Sequence, residues 1–501
     1  MHLAIVNGAV WAPGRPPATA VAVMGDRIAA IGSDPEVRAL LDKDAREIDA
    51  RGGTIMPAFN DAHIHFLMGS RGLSYLDLFG AETQPDIELR IRDFAAANPT
   101  GWLLGRGWFY SAFPGGMPTL GLLDRLVPDR PAYMESFDTH CAWVNSHALA
   151  GAGISPHDSD GVLKEQAMED FERCLPASTA AQDLAALKAG MEIAAAHGLA
   201  SVQEANRGLE ELPLFQTLYE RGELTMRVRL AFDMTPGLSA HDWEKRLDTY
   251  EDARHQLPAG WVSTGILKAF SDGVVESRTA ALSEPYAGMA AEDKGAFGAP
   301  LWDRGELANA IRAAARRGWQ VEVHAIGDAA IKDVLDTFAG LGPERRHRIE
   351  HIELPATDDI PRFGELGVIA SMQPQHAAPR LIEVWRRHLG PVRAERGWPW
   401  KEIVRSGGRL AFGSDWPVVP IDPFASLHEA TRTLSLDEAL GAWTYGAAYA
   451  EHAEHSKGEL REGMLADIAI LDRDLGQTSR DEIASTKVEA TVVGGRLVYE
   501  V

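Results

Sequence analysis

The sequence has few cysteines and no long apolar run. Two cysteines in 501 residues cannot build a disulfide framework, which favours a reducing compartment and predicts a cytoplasmic protein. No stretch approaches the roughly 18 consecutive apolar residues of a membrane-spanning helix. The opening MHLAIVNGAVWAPG predicts a strand and a turn rather than a signal peptide, because its apolar run is short and no basic segment precedes it. We therefore expect no membrane partner.

Basic residues are also scarce. The chain has 49 Lys and Arg against 72 Asp and Glu, a formal net charge of −23. Such acidity argues against nucleic-acid binding and against docking on an anionic membrane, since both need a basic surface. The composition is otherwise that of a globular protein, with 45% hydrophobic residues. These features predict a folded protein with a small-molecule partner.

The two ends of the chain are rich in strand patterns. Residues 1–56 and 457–501 alternate short apolar runs with Gly and Asp turns, and we expect them to pair into one small antiparallel domain. Between them, residues 57–456 alternate apolar strand candidates with helical stretches. The first strand candidate leads into PAFNDAHIHF, and seven more lie at 198–205, 226–232, 264–273, 319–328, 346–354, 367–374 and 409–417. Eight such units predict an α/β fold with a TIM-like (β/α)8 barrel.

One connection is abnormally long. About 130 residues separate the first two strand candidates, where a single helix would suffice. This insertion, at about 66–198, is rich in Trp, Phe, Gly and Pro. Long excursions at the C-terminal face of barrel strands are usually lids or pocket walls, which favours that role over a plain surface insertion.

A His-x-His pair closes the first strand. Residues i and i+2 of a strand point to the same face, so His63 and His65 can bind one metal ion. The pair alone is a weak signal, because chance produces about 0.6 such pairs in a chain with 17 histidines. Its position at the end of a predicted barrel strand is more informative, because barrel active sites lie there.

Polar residues also close several later strands. Lys268, His324, His351 and Asp415 each end an otherwise apolar strand, the fourth, fifth, sixth and eighth. Any one of them could be a core polar residue with a hydrogen-bond partner, and Lys268 could be a strand-end ion pair. The joint occurrence with the His-x-His pair favours a metal site, because buried charged groups need a partner or a metal.

With these residues in place, the sequence resembles the amidohydrolase superfamily of metal-dependent hydrolases. It is most similar to the amidohydrolase-3 branch, which includes YtcJ-like proteins and N-substituted formamide deformylases. The resemblance spans nearly the whole chain and rests on PAFNDAHIHF, WVNSHAL, LKAFSDGVVESRTAAL, VHAIGDAAI, RIEHIEL, FGSDWPVVPIDPF and KGELREGMLADIAILD. It implies a β-sandwich formed by the N- and C-terminal segments beside the barrel.

The resemblance also implies a ligand set. His63, His65 and Asp415 would hold one divalent ion, and His324 and His351 a second. Lys268, carbamylated by CO₂, would bridge the two ions. Zinc is the expected metal, although the same donors accept manganese, iron or cobalt. A single ion with unmodified Lys268 is the alternative.

The implied chemistry is hydrolysis of a C–N bond of the amide or formamide type. A metal-activated hydroxide attacks the carbonyl carbon, with Asp415 as general base and then general acid. A deaminase or a carboxyl-ester hydrolase could use the same site, and a non-catalytic binding or regulatory barrel is a further alternative. The motifs of P-loop, dinucleotide-binding and serine-hydrolase proteins do not occur. Barrels of this kind often form homodimers, which we also expect.

The insertion supplies weaker candidates. The resemblance suggests that its FDTHCAWVNSHAL segment borders the substrate, so His140 would contact the carbonyl or the developing oxyanion, unless it has a capping or packing role. Asn145 lies in the same segment. Trp108, Phe109 and Trp143 would form an apolar pocket wall, with ordinary core packing as the alternative.

Four further residues have predicted roles outside the ligand set. Glu204, at the end of the second strand, would orient a ligand. Asp272 and Arg278 would fix the conformation of the loop that follows Lys268. His347 is predicted to face solvent, because its stretch RHRIEHIEL favours a strand over a helix that would pair it with His351.

Overall fold

The structure is a computed structural model. It describes residues 3–157, 159–164, 166–205, 207–254, 257, 260–303 and 305–501. It confirms the α/β class, with an eight-stranded parallel barrel sheet and two smaller sheets built from the chain ends. Within the described residues, no helix has the length and apolar character needed to cross a membrane.

The N-terminal segment consists mainly of short strands. Strands β3 and β4 form a hairpin whose turn contains Gly25 at φ 61°, a conformation that tight hairpin turns require and glycine adopts without strain. The elements are β1 Leu3–Val6, β2 Ala9–Val10, β3 Ala20–Met24, β4 Arg27–Gly32, α1 Asp34–Arg38, β5 Arg46–Asp49 and β6 Thr54–Pro57.

The first barrel strand, β7 Phe59–Ile64, leads directly into the insertion. The insertion folds around its own five-stranded sheet, in the order β12-β11-β10-β9-β8, with a separate aromatic core. Its elements are α2 Phe66–Gly72, β8 Leu76–Asp77, α3 Gln84–Ala97, β9 Leu103–Trp108, α4 Leu120–Leu126, β10 Ala132–Ser136, β11 Cys141–Val144, α5 Ser146–Gly151, β12 Val162–Lys164, α6 Gln166–Glu172 and α7 Ala180–Ala196.

The remaining barrel strands coincide with the seven predicted segments. They are β13 Leu199–Glu204, β14 Arg227–Asp233, β15 Val262–Phe270, β16 Gln320–Ala325, β17 Arg348–His351, β18 Ile369–Met372 and β19 Arg409–Phe412. The helices of this part are α8 Gly208–Glu220, α9 Ala240–Arg254, α10 Glu306–Arg316, α11 Asp328–Phe338, α12 Ile360–Leu366, α13 Pro379–Leu389, α14 Pro391–Ala394, α15 Trp400–Arg405, α16 Pro423–Ala430, α17 Leu436–Gly441 and α18 Ala447–Ala450.

The eight strands pair in parallel, in the order β19-β18-β17-β16-β15-β14-β13-β7. Backbone hydrogen bonds join the ends of the first and eighth strands. The amide of Asp415 donates to the carbonyl of His63 at 2.8 Å, and the amide of His65 donates to that of Trp416 at 2.9 Å. This closure brings two stretches that are about 350 residues apart in the sequence to one edge of the barrel.

The C-terminal segment contributes β20 Ile468–Leu471, α19 Arg480–Ile483, β21 Val488–Val493 and β22 Arg496–Glu500. Strand β20 pairs antiparallel with β6, so the two chain ends share a five-stranded sheet in the order β2-β6-β20-β21-β22. A second sheet, β4-β3-β1-β5, packs on it through a common core that contains Ile5, Val21, Ile55 and Ile470. The ends therefore form the implied two-layer sandwich. The exact residue borders 1–56, 57–456 and 457–501 remain predictions.

Candidate metal centre

The six predicted ligands all lie at the C-terminal edge of the barrel. They belong to the ends of five different strands: His63 and His65 with β7, Lys268 with β15, His324 with β16, His351 with β17 and Asp415 with the turn after β19. The C-terminal ends of parallel barrel strands converge on one face, which explains why distant parts of the chain meet there.

His63, His65 and Asp415 form the tightest group. The Nε2 atoms of His63 and His65 lie 3.5 and 3.3 Å from Asp415 Oδ1. The Nδ1 atom of His63 lies 2.7 Å from Glu350 Oε2 on the other side of the ring. A carboxylate behind a histidine fixes the ring orientation and leaves Nε2 to face the centre, as is usual for metal-binding histidines.

Lys268 lies beside this group and is buried. Its Nζ atom is 3.5 Å from His63 Nε2 and 4.4 Å from the centre of the Phe270 ring. Burial lowers the pKa of Lys268, against the opposing effect of Glu322 and Glu350. A lowered pKa increases the neutral fraction of the amine, which is the form that reacts with CO₂.

The second pair, His324 and His351, stands across the centre. Their ring centres are 4.4 Å apart, and His351 Nδ1 lies 3.9 Å from Asp415 Oδ2. His324 Nε2 lies 3.2 Å from the carbonyl of Gly273, so Nε2 carries the proton and donates, and Nδ1 keeps its lone pair. That tautomer suits a metal ligand.

The backbone is strained at two of these residues. His351 has φ 74° and Asp415 has φ 60°, in the left-handed region that L-residues other than glycine rarely adopt. The following Ile352, a β-branched residue, also has a positive φ of 49°. Such conformations persist only where the surrounding structure imposes them, and they are concentrated at functional sites.

The electrostatics of the centre suit a cation. Burial lowers the pKa of His63, His324 and His351 well below the ordinary value, so these imidazoles are neutral, as metal binding requires. Burial alone would raise the pKa of Asp415, but its contacts with His65 and His63 hold it below its usual range. The centre thus combines neutral nitrogen donors with one carboxylate anion.

Two donor atoms of the centre have no hydrogen-bond partner, which also suits a bound ion. Among the residues that the structure describes, Asp415 Oδ1 and His351 Nδ1 are buried polar atoms without a hydrogen bond. Buried polar atoms normally have partners, and a divalent cation would supply one to each. Donor atoms of His63, His65 and Asp415 all lie within 4.8 Å of one another. Imidazole and carboxylate donors are ligands that zinc accepts.

Comparison with known proteins agrees with this geometry. The model of the amidohydrolase family matches residues 46–499, nearly the whole chain. The chain belongs to the amidohydrolase family. This confirms the resemblance and supports a metal-dependent hydrolase.

The alignments with individual relatives span almost the whole amidohydrolase chain. It is 28% identical to YtcJ of Bacillus subtilis, over 91% of each chain. It is 24% identical to the N-substituted formamide deformylase of Arthrobacter pascens, over 96% of this chain and 95% of that one. Among solved structures, an uncharacterized metal-dependent hydrolase from Pyrococcus furiosus superposes with a TM-score of 0.74 at 27% identity. That alignment covers 94% of this chain and 99% of the other.

The sequence analysis missed one histidine of this amidohydrolase centre. His376 follows the seventh barrel strand, in the 3-10 turn Pro374–Ala377, and its Nε2 lies 3.6 Å from Asp415 Oδ2. Its Nδ1 lies 2.9 Å from Glu353 Oε1. Burial opposes a charge on the ring, but this hydrogen bond and the charge of Glu353 raise the pKa of His376. The signal was available, because His376 follows a short apolar strand as the other candidates do.

The insertion brings one of its predicted residues to the centre. The half-buried ring of His140 lies with its centre 5.7 Å from that of His324. Its backbone amide donates to Asp138 at 3.2 Å, which anchors the segment. The insertion therefore reaches the mouth of the barrel, and the catalytic role of His140 stays a prediction.

The other predicted insertion residues lie inside the insertion itself. Trp108, Phe109 and Trp143 belong to its aromatic core, and their described ring contacts are with other residues of the insertion. The Asn145 amide accepts from the backbone of Ala132 and Ala148 and donates to the carbonyls of residues 127 and 130. All four hydrogen bonds of the amide are used, so Asn145 holds a turn and has no capacity left for a substrate. The pocket wall of three aromatic residues stays a prediction.

Of the weaker candidates, Asp272 fixes its loop as predicted. Its carboxylate accepts hydrogen bonds from the backbone amides of Ala281, Ile326 and Gly327. Glu204 lies 4.0 Å from His65 Nδ1, and Arg278 is exposed.

The prediction that His347 faces solvent is wrong. Its ring is buried against Phe338, and its Nδ1 accepts the amide proton of Val321 at 3.0 Å. The prediction weighed only whether His347 pairs with His351 on a helix, whereas His347 precedes β17 and is buried by its contact with Phe338 of α11.

Proposed function

We propose that this amidohydrolase cleaves a C–N bond of the amide or formamide type in a small molecule, with zinc as its metal. The observation that carries the proposal is the convergence of His63, His65 and His351 on the two oxygens of Asp415, at 3.3 to 3.9 Å. These separations are longer than those of strong hydrogen bonds and fit donors that share a cation. The name of the Arthrobacter relative favours a formamide-type substrate.

The ligand roles are those that the family resemblance implies, and all six residues lie at strand ends. His63, His65 and Asp415 would hold one ion, and His324 and His351 a second. Lys268 would form a carbamate: its neutral Nζ bonds to the carbon of CO₂ and loses a proton, which leaves an anion with two oxygens. The lowered pKa of Lys268 and its position 3.5 Å from His63 Nε2 support this step.

A divalent ion held by these residues would supply a water whose pKa is lowered to about 7 and would polarise a carbonyl oxygen. Asp415 is ionised, so it can accept a proton from the attacking water at one of its oxygens. It then passes the proton to the nitrogen of the leaving amine as the C–N bond breaks. His140 lies on the insertion side, where it can contact the substrate carbonyl. The products are a carboxylic acid, formic acid for a formamide, and an amine.

The test is a substrate panel on the metal-loaded protein, with N-formyl amines, anilides, esters and aminopurines. We expect turnover of amides or formamides, loss of turnover after chelation, and recovery with Zn²⁺. The Asp415→Asn variant should lose at least about 1,000-fold in kcat with an unchanged circular dichroism spectrum, since general acid–base residues contribute about 10² to 10⁴. Turnover only of esters or aminopurines would replace the proposal, and near-wild-type turnover by Asp415→Asn would refute its role.

A small-molecule partner, a homodimer and a cytoplasmic location complete the proposal. The small-molecule partner and the location rest on the charge of −23 and the low cysteine count, and the homodimer rests on the frequency of dimers among barrels of this kind. Size-exclusion chromatography with light scattering checks the dimer.

A further inference from the structure

His376 lies at the metal centre, but it is not one of the six predicted ligands. It follows the seventh barrel strand, β18, and lies against the turn that carries Asp415. The ring is stacked on that of His351, with centres 5.8 Å apart and planes 8° from parallel. Only 8% of His376 is exposed. The surroundings therefore hold this ring in one orientation.

Glu353 determines which nitrogen of His376 faces the centre. Its Oε1 lies 2.9 Å from Nδ1, and a carboxylate can only accept, so Nδ1 is the donor. The Nε2 atom then points to Asp415, and it is buried without a hydrogen bond to any residue that the structure describes. A carboxylate that fixes a histidine in this way is the usual companion of a metal-binding imidazole.

Two imidazole nitrogens face the same oxygen of Asp415. His376 Nε2 and His351 Nδ1 lie 3.6 and 3.9 Å from Oδ2. Neither distance is a hydrogen bond. Two donors bound to one zinc ion at about 2.0 to 2.2 Å with a tetrahedral angle are about 3.4 Å apart. Both nitrogens therefore converge on the same side of Asp415, at separations somewhat longer than those of two ligands on one ion.

The other oxygen of Asp415 has the matching arrangement. Its Oδ1 faces His63 Nε2 and His65 Nε2 at 3.5 and 3.3 Å. The carboxylate thus has a pair of histidines on each oxygen.

We propose that His376 is a direct ligand of the second ion, together with His324 and His351, and that this ion lies on the Oδ2 side of Asp415, whose Oδ1 faces the first ion. Glu353 is a positioning residue that orients His376. This inference rests on the proposed metal-dependent function, and it adds a ligand from the seventh strand that the family resemblance does not imply.

The test measures metal binding rather than activity. Metal-free wild-type protein and the His376→Gln variant are titrated with Co²⁺, and stoichiometry is followed by calorimetry and the visible spectrum. Glutamine keeps a donor for Glu353 and removes the imidazole. We expect two equivalents in the wild type. In the variant we expect one equivalent at wild-type affinity and a second site weakened by at least about 100-fold, since even residues behind the ligands change affinity about 10- to 100-fold.

Two further variants complete the design. Glu353→Gln should weaken only the second site, by about 10- to 100-fold, because it acts through His376. His347→Gln is the matched control, since it removes a buried imidazole at the other end of the barrel, and it should bind two equivalents as the wild type does.

The outcomes separate this inference from the proposed function. Two equivalents at wild-type affinity in His376→Gln would overturn the inference, as would a wild type that binds only one ion, and the hydrolase proposal would stand. A wild type that binds no ion would overturn the hydrolase proposal as well. If His376→Gln does not fold, a crystal structure of the zinc-loaded wild type decides: Nε2 at about 2.0 to 2.1 Å from the second ion supports the inference, and a distance above about 3 Å refutes it.

Discussion

Burial neutralises several histidines of this protein, yet only some of them face a cation site. His63, His351 and His347 all have a pKa below the ordinary value because they are buried. His347 lies before β17, at the N-terminal end of the barrel, and uses Nδ1 to accept a backbone proton. The difference is the partner: the ligand candidates face Asp415, and His347 faces the backbone.

This contrast predicts a pH dependence for His347. Burial lowers its pKa to about 4, against 6.5 in the unfolded chain, so the unfolded state binds the proton more tightly. The stabilisation by the neutral ring is complete above pH 6.5 and is lost as the pH falls toward 4. We expect the wild type to lose about 3 kcal/mol more than His347→Gln over this range, measured by urea denaturation. Parallel losses in both proteins would contradict the prediction.

At the scale of elements, the insertion is a folded unit with its own sheet and core. Strands β9 and β10 pair in parallel, and β10, β11 and β12 continue the sheet in antiparallel pairs. The aromatic residues that predict a pocket wall from the sequence pack largely among themselves. The insertion can therefore present His140 to the barrel from a rigid support.

The Asn145 amide forms hydrogen bonds with β10, the preceding loop and α5. Removing it should therefore destabilise this part of the insertion. Asn145→Ala leaves buried backbone groups without partners, each at a cost on the order of 1 to 3 kcal/mol. We expect faster hydrogen exchange and proteolysis within residues 127–148 and unchanged metal content.

The control for this prediction is Asn98→Ala, at an exposed helix end, which should change stability by less than about 0.5 kcal/mol. Loss of metal from Asn145→Ala would indicate that the insertion and the metal centre fold as one unit.

The barrel strands could be predicted from the sequence because each is a short apolar run between turn residues and helical stretches. The polar residue at each strand end then located the centre. The sheet of the insertion could not be predicted in the same way. Its strands β9 and β10 are separated by about two dozen residues that include the helix α4, and their pairing depends on contacts that the local pattern does not contain.

At the scale of the whole molecule, the sandwich and the barrel are joined by a buried ion pair. Arg227, at the start of β14, contacts Asp467 at 2.7 Å, and the same carboxylate accepts from the amide of Gly494. The side chains of Arg227 and Asp467 are only 8% and 6% exposed. Through this pair the C-terminal sheet is held against the barrel.

Breaking one side of a buried pair leaves an uncompensated charge. Asp467→Asn should therefore lower the free energy of unfolding by about 3 to 5 kcal/mol, measured by chemical denaturation. The matched control is Glu47→Gln, whose pair with Arg38 is on the surface and should contribute less than about 1 kcal/mol. Equal effects of the two substitutions would show that the buried pair does not join the two parts.

The sequence by itself determined the architecture and most of the centre. Strand length, turn residues and helical stretches are local properties, so they identify the eight barrel strands, the strand-rich ends and the polar residues at the strand ends. The tertiary structure alone decided what those residues face. The closure of the barrel brings Asp415 between four histidines, the fold of the insertion engages the Asn145 amide with its own backbone, and packing buries His347. Each of these depends on contacts between residues far apart in the chain, and no local pattern in the sequence encodes such distances.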